Sequence, residues 1–274
     1  MNAPSPAPRS AAAPVVQTSV KDGVALVVLN RPQVRNSLSE VMLRALSDAF
    51  AEVAANERVR AVVLAANGAT FCAGHDLKEI TERRRDPDGG RTYVQDLMDR
   101  CSAMMQSIHR MPQPVIAAVE GAATAAGCQL VASCDLAIAS KTARFATPGV
   151  HIGLFCSTPM VALSRNVTPK HAMEMLLTGD LIAADEACRI GLVNRVVAPG
   201  TEREEAFKLA RKLASKSTWT VKLGKEAFYR QIDMNLPEAY RYASQVMVEN
   251  MMGHDAKEGI AAFVEKRTPT WEDR

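Results

Sequence analysis

Twice along this chain a short apolar run ends in a Gly-containing turn and passes directly into a helical pattern. The first is AVVLAA at 61–66, followed by Ala73-Gly74 and a helix start at Asp76. The second is PVIAAVEG at 114–121, followed by small residues and a helix over 123–134 that contains Gly127. Short apolar runs without alternation, bounded by turn residues, read as strands buried on both faces. Strands of that kind need helices packed over them, so the fold class expected is α/β.

The rest of the chain extends the pattern. VALVVLN at 24–30 follows the turn KDG and reads as the second strand of a hairpin. Met42, Leu43, Leu46, Phe50 and Val53 recur at helical spacing within 39–56. The polar stretch RRRDPDGG at 83–90 suggests a mobile loop before a helix over 92–110. DLAIAS at 135–140 and LVNRVV at 192–197 are further strands. Helices dominate from about 157, at 159–165, 169–177, 183–190, 202–215, 218–232, 236–251 and 255–266. The division expected is a tail at 1–14, a core at 15–200 and a helical region of the same fold at 201–274.

Composition narrows the function. The 274 residues are 47% hydrophobic, enough for one large core. A net charge of +3 with interspersed signs gives no strong field for nucleic acid or a membrane surface. No apolar run reaches the roughly 18 residues of a membrane span. The six cysteines form no CxxC pair, which favours reduced thiols in the cytoplasm. The tail MNAPSPAPRSAAAP has one Arg and no acid, so a short organelle-targeting peptide is the alternative. No histidine pair has metal-ligand spacing, and no metal is expected.

A strand-to-helix turn leaves backbone N–H groups unpaired at the helix start. Small residues let another group approach that backbone. Two such turns either pack helix tightly on strand, or aim two N–H donors at one oxygen, as an oxyanion hole does.

NRPQVRNSLS, FCAGHDLKEI, PVIAAVEGAATAAGCQLVASCDLAIAS and EGIAAFVEKRTP, in that order, resemble the enoyl-CoA hydratase/isomerase (crotonase) family over residues 15–270. The resemblance implies a spiral of ββα units with a helical C-terminal region that builds trimers, often paired as hexamers. It implies an acyl-CoA thioester as substrate, coenzyme A being part of that substrate and not a separate cofactor. Two backbone N–H groups, those of His75 and Ala126, would hold the thioester oxygen. Arg35, Ser37, Leu38, Ala73, His75, Asp76 and Leu77 would contact coenzyme A, with Lys225 and Lys266 as further candidates for its phosphates.

The pattern breaks at the catalytic positions. A family hydratase carries two glutamates where this chain has Gln129 and Gly149. Gln has no proton-accepting carboxylate, and Gly has no side chain. A subgroup of the family lacks both glutamates in the same way, and FATPGVHIGLFCSTP resembles that subgroup. Three readings follow: a lyase of the hydratase type, a decarboxylase using His75, or a non-catalytic acyl-CoA binder. His151 and Cys156 would flank the acyl group, or simply pack. Restoring both carboxylates should raise hydration, with strain expected at Gly149 if its φ is positive. Leu236, Tyr240, Val246 and Met247 form an apolar stripe that suggests a homotrimer or hexamer.

Overall fold

The computed structural model describes residues 13–274. The tail expected at 1–14 lies almost wholly outside the described residues. The chain opens with a hairpin, β1 (Val16–Lys21) and β2 (Val24–Leu29), joined by Asp22-Gly23 with both residues at positive φ. That is the turn chemistry a two-residue hairpin needs. A 3-10 turn at Pro32–Val34 leads to α1 (Glu40–Ala55). Ser39 caps α1 by accepting from Met42 N–H, and Met42, Leu43, Leu46, Phe50 and Val53 are its buried stripe.

Three similar passes follow. β3 (Ala61–Ala66) leads to β4 (Thr70–Cys72), then α2 (Leu77–Arg83) and α3 (Arg91–Arg110). β5 (Val115–Val119) leads to β6 (Ala122–Thr124), then α4 (Ala126–Ser133). β7 (Leu136–Ser140) leads to β8 (Arg144–Ala146), a 3-10 turn at Pro148–Ile152, then α5 (Ser157–Leu163). α6 (Pro169–Thr178), β9 (Ile182–Ala183), α7 (Ala184–Arg189) and β10 (Arg195–Val197) complete the strands. The chain ends with α8 (Glu202–Ala214), α9 (Thr218–Gln231), α10 (Leu236–Met252) and α11 (His254–Glu265).

Each pass gives one strand to each of two sheets. The larger sheet has the order β1-β2-β3-β5-β7-β10 and the smaller β4-β6-β8-β9. From β2 onward the larger sheet is parallel, with Leu64 beside Ala117 and Ala118 beside Ile138. The result is a spiral of strand, strand and helix, the architecture expected. Val62 and Leu64 face the main core. Ala61, Val63 and Ala65 face the other way, onto Ala206, Ala210 and Ala214 of α8. Small residues at i, i+4 and i+8 let that helix lie close to the sheet.

Some expectations shift. The strand read within 114–121 is β5; after the Gly121 turn, residues 122–124 form β6 in the second sheet where a helix was expected from 123. α4 starts at Ala126 rather than 123, and β10 keeps only the last three residues of 192–197. The polar stretch at 83–90 is a run of turns held by Asp88, which accepts from Gly90 N–H at 2.9 Å and Thr92 N–H at 2.8 Å. Bonds from the Thr92 side chain and from these two N–H groups hold the Asp88 carboxyl down at about 2. Among the described residues no helix is long and apolar enough to cross a membrane.

Candidate active site

The two turns meet. Gly74 has φ +91°, and a Cβ on it would stand 2.9 Å from Ala125 Cβ, 3.1 Å from Thr124 O and 3.3 Å from Ala126 N. Only Gly satisfies both the backbone conformation and the approach. Gly127 is tighter still, its absent Cβ falling 2.1 Å from Cys72 O. Thr124 Oγ1 donates to Ala73 O at 3.1 Å and ties one turn to the other.

Residues 35–38 brace the first turn from behind. Ala73 N–H donates to Arg35 O at 3.1 Å, and Leu38 N–H donates to Gly74 O at 2.8 Å. Asp76 N–H donates back to Leu38 O at 3.4 Å. In such a parallel bridge the groups flanking His75 face Leu38, so the His75 N–H points the opposite way. Asp76 then caps α2 by accepting from Lys78 N–H at 3.1 Å.

In the second turn Ala125 N–H is spent on Ala146 O at 2.9 Å. Ala126 is the first residue of α4, and its N–H has no intrahelical acceptor. Ala125 itself adopts φ 52° and ψ −121°, a conformation that L residues reach at a cost of about 1–3 kcal/mol. That backbone aims the start of α4 at the first turn. Two unspent N–H groups, one beside Gly74 and one at the head of α4, thus emerge next to each other.

The side chains around them carry no carboxylate at the two glutamate positions. Both ring nitrogens of His75 are buried without a partner, and burial pushes its pKa down against the effect of the Leu38 backbone. Burial thus favours the neutral imidazole. Gln129 is 6% exposed, and its Oε1 also lacks a partner. Such atoms are costly unless something binds to them.

Gly149 sits in the 3-10 turn and is not among the residues at positive φ, so the strain expected there is of another kind. Its Cβ would stand 2.7 Å from Leu154 O and 2.9 Å from Cys156 Sγ. The thiol of Cys156 accepts from Gly149 N–H at 3.3 Å and fills the space a side chain would need. Burial pushes this thiol up, and the Gly149 N–H pulls it down less strongly. His151 is exposed and turned to Gly179, whose absent Cβ would lie 2.9 Å from its Nε2.

The coenzyme A candidates divide by exposure. Arg35 and Leu77 are exposed and available. Leu38 is fully buried in the core, and Ser37 Oγ donates to Asp76 Oδ2 at 3.2 Å, so these side chains serve the scaffold. Asn36, at φ 52°, is the organiser that motif reading passed over. Its Nδ2 donates to Asn67 O at 2.9 Å and Thr70 O at 2.8 Å, and its Oδ1 accepts from Arg31 N–H at 2.8 Å. The signal available was an Asn, the residue that tolerates the left-handed region.

Lys225 is no phosphate ligand. Its ammonium is buried, donating to Ile108 O and Gln113 O at 2.8 Å and pairing with Asp135 Oδ2 at 2.7 Å. Tyr229 adds a bond to Asp135 Oδ1 at 2.9 Å. This network pins α9 to the core. Lys266 is exposed in the left-handed cap of α11 and stays free to meet a phosphate.

Comparison with known proteins bears on the fold and the family. A family model described as Enoyl-CoA hydratase/isomerase matches residues 19–274. The rat protein named enoyl-CoA hydratase domain-containing protein 3, mitochondrial, is 47% identical over 257 residues, covering 94% of this chain and 84% of its own. The human protein of that name is 48% identical over 250 residues, covering 91% and 81%. A solved structure of an enoyl-CoA hydratase from Mycobacterium smegmatis superposes with a TM-score of 0.90 at 52% identity, covering 94% of this chain and 99% of its own. The human domain-containing protein 3 structure gives 0.89 at 46% identity, covering 94% and 100%. The name of the rat and human proteins is that of the subgroup that residues 145–159 resemble. The chain belongs to the enoyl-CoA hydratase/isomerase family.

Proposed function

We propose that this protein binds acyl-CoA thioesters and stabilises the enolate form of the thioester between the N–H groups of His75 and Ala126. The observation that carries this reading is the contact of the two turns at Gly74, which leaves both donors unspent side by side. A donor of this kind contributes roughly 2.7–4 kcal/mol to a developing oxyanion. The reaction is of the hydratase lyase type, run slowly. Gln129 can hold a water through its amide but cannot take its proton, and Gly149 offers nothing. The substrate brings its own coenzyme A, and no separate cofactor is invoked. Arg35, Ala73 and Leu77 line its path, with Ser37, Leu38 and Asp76 shaping the loops beneath.

The orphaned, neutral His75 imidazole supports a second reading. Loss of carboxylate from a malonyl-type thioester needs no base, only an enolate sink and a polar group near the departing carboxylate. A panel of 2-enoyl and malonyl-type CoA esters, assayed for turnover and for direct binding, separates the readings. Turnover of enoyl esters supports the first and of malonyl-type esters the second. Binding without turnover of either marks a carrier or sensor of thioesters, and failure to bind any of them refutes the proposal.

We also propose that 201–274 assembles the protein as a homotrimer or a pair of trimers. On α10, Leu236 and Tyr240 are each 70% exposed, and on α11 Phe263 is 85% exposed. A groove of about 560 Å³ between α9, α11 and Trp271 adds to that apolar surface. Light scattering that shows a monomer at micromolar concentration overturns this. As to compartment, the names of the mammalian relatives lend no support to the cytoplasm. The Ala-, Pro- and Ser-rich residues 1–14 suit a short targeting segment instead.

A further inference from the structure

Away from the two turns, the carboxyl groups of Glu120 and Glu202 come within reach of each other where α8 packs on β5. Glu120 follows β5 and precedes the Gly121 turn into β6. Glu202 is the first residue of α8 and only 5% exposed. Thr142 Oγ1 donates to Glu120 Oε1 at 2.9 Å, and the Ser140 hydroxyl and Gly200 N–H also reach this carboxylate. The second oxygens, Glu120 Oε2 and Glu202 Oε2, are both buried and both lack a partner. Two ionised carboxylates repel in such a place, whereas one proton between them satisfies both orphaned oxygens at once.

We propose that Glu120 and Glu202 hold a single shared proton, and that this acid–carboxylate bond fastens the head of α8 to the β5–β6 junction that carries the second turn. Burial, with the Glu120 carboxylate beside it, raises the Glu202 carboxyl above the usual range. Burial also raises Glu120, but its bonds from Ser140, Thr142, Glu202 and Gly200 more than reverse this and hold it low. The charged neighbours are few. Arg203 on α8 favours ionised Glu202, but its guanidinium is spent on Ala66 O and Asn67 Oδ1. Lys141, between Ser140 and Thr142, is exposed.

The sign follows from linkage. At a pH where unfolded glutamates are ionised, the folded chain still holds one proton here. Stability therefore falls as pH rises from the ordinary Glu value to the raised value of Glu202, and is level beyond it. Each pH unit in that window changes the folding equilibrium up to about ten-fold. Glu120 acts in the opposite sense below the ordinary Glu value.

The test is the thermal midpoint of the full chain against pH, for wild type and Glu202→Gln. The amide donates to Glu120 at every pH in the window. The midpoint of wild type should fall relative to Glu202→Gln as pH rises above the ordinary Glu range, and the gap should then hold constant. Parallel curves overturn the proposal. Glu120→Gln serves if the first variant does not fold, and it should abolish the same trend. A rise in the wild-type midpoint at alkaline pH on adding magnesium or calcium chloride, absent in Glu202→Gln, also overturns it. That result would mean that the pair holds a cation rather than a proton.

Discussion

Restoring the two missing carboxylates separates what motif position predicts from what the packing allows. A positioned acid or base contributes roughly 10²–10⁴ in rate, or about 3–5 kcal/mol of barrier. Gln129→Glu changes one atom type and breaks no bond to Oε1, which has no partner. It costs only the burial of a carboxyl, and hydration should rise above wild type. Gly149→Glu is different. Its Cβ would meet Leu154 O at 2.7 Å, Cys156 Sγ at 2.9 Å and Cys156 N at 3.3 Å. The thiol can rotate, but the two backbone atoms cannot. Overpacking of this kind costs about 1–3 kcal/mol, or roughly 2–10 °C of melting temperature in a chain of this size. The loop that flanks the acyl group must shift as well. The assay is loss of enoyl-thioester absorbance with crotonyl-CoA, run beside a melting curve for each variant. Gln129→Glu should gain activity at a near-native melting temperature. Gly149→Glu should melt lower without gaining activity, and the double variant should do no better than Gln129→Glu alone. The sequence led to the expectation that restoring both carboxylates raises hydration; the packing assigns that gain to Gln129→Glu alone. A Gly149→Glu variant with native stability and faster hydration would refute the steric reasoning.

Three further outcomes follow from the same geometry. His75→Ala should keep acyl-CoA affinity by calorimetry, while His75→Pro, which has no N–H, should lose it; equal loss in two folded variants would transfer the contact to the imidazole. Ala125→Gly removes a side chain from a positive-φ position and should stabilise the fold by up to about 2 kcal/mol, once the greater freedom of unfolded Gly is set against the relieved strain, read as a higher melting temperature. Lys225→Ala strands Asp135 in the core and should destabilise the fold by about 3–5 kcal/mol in denaturant titration, with acyl-CoA affinity unchanged under conditions where the variant stays folded.

Much of this was legible in the sequence, and the boundary has physical causes. β3 and α1 have strong periods, and local pattern alone specifies them. β4, β6 and β8 have three residues each, too few for any period, and they exist because they pair with one another across some 50 and 20 residues of chain. The two Gly-containing turns were legible from motif. The reason they meet was not, because Gly74 touching Ala125 is a contact between distant segments; Cys156 filling the space beside Gly149 follows from how one loop folds back on itself. Lys225 misled for the same reason. A lysine on an amphipathic helix reads as solvated, and only the fold brings Asp135 and two carbonyls to it.

The central claim is that two backbone donors hold one thioester oxygen. A crystal structure of this protein with a bound, unreactive acyl-CoA thioether or thioester analogue that retains the carbonyl tests it directly. The account predicts the carbonyl oxygen about 2.7–3.1 Å from both the His75 and the Ala126 backbone nitrogens. It also predicts the acyl carbons passing between Gln129 and Cys156. A carbonyl bound elsewhere, or held by the His75 ring with both N–H groups unused, would contradict it.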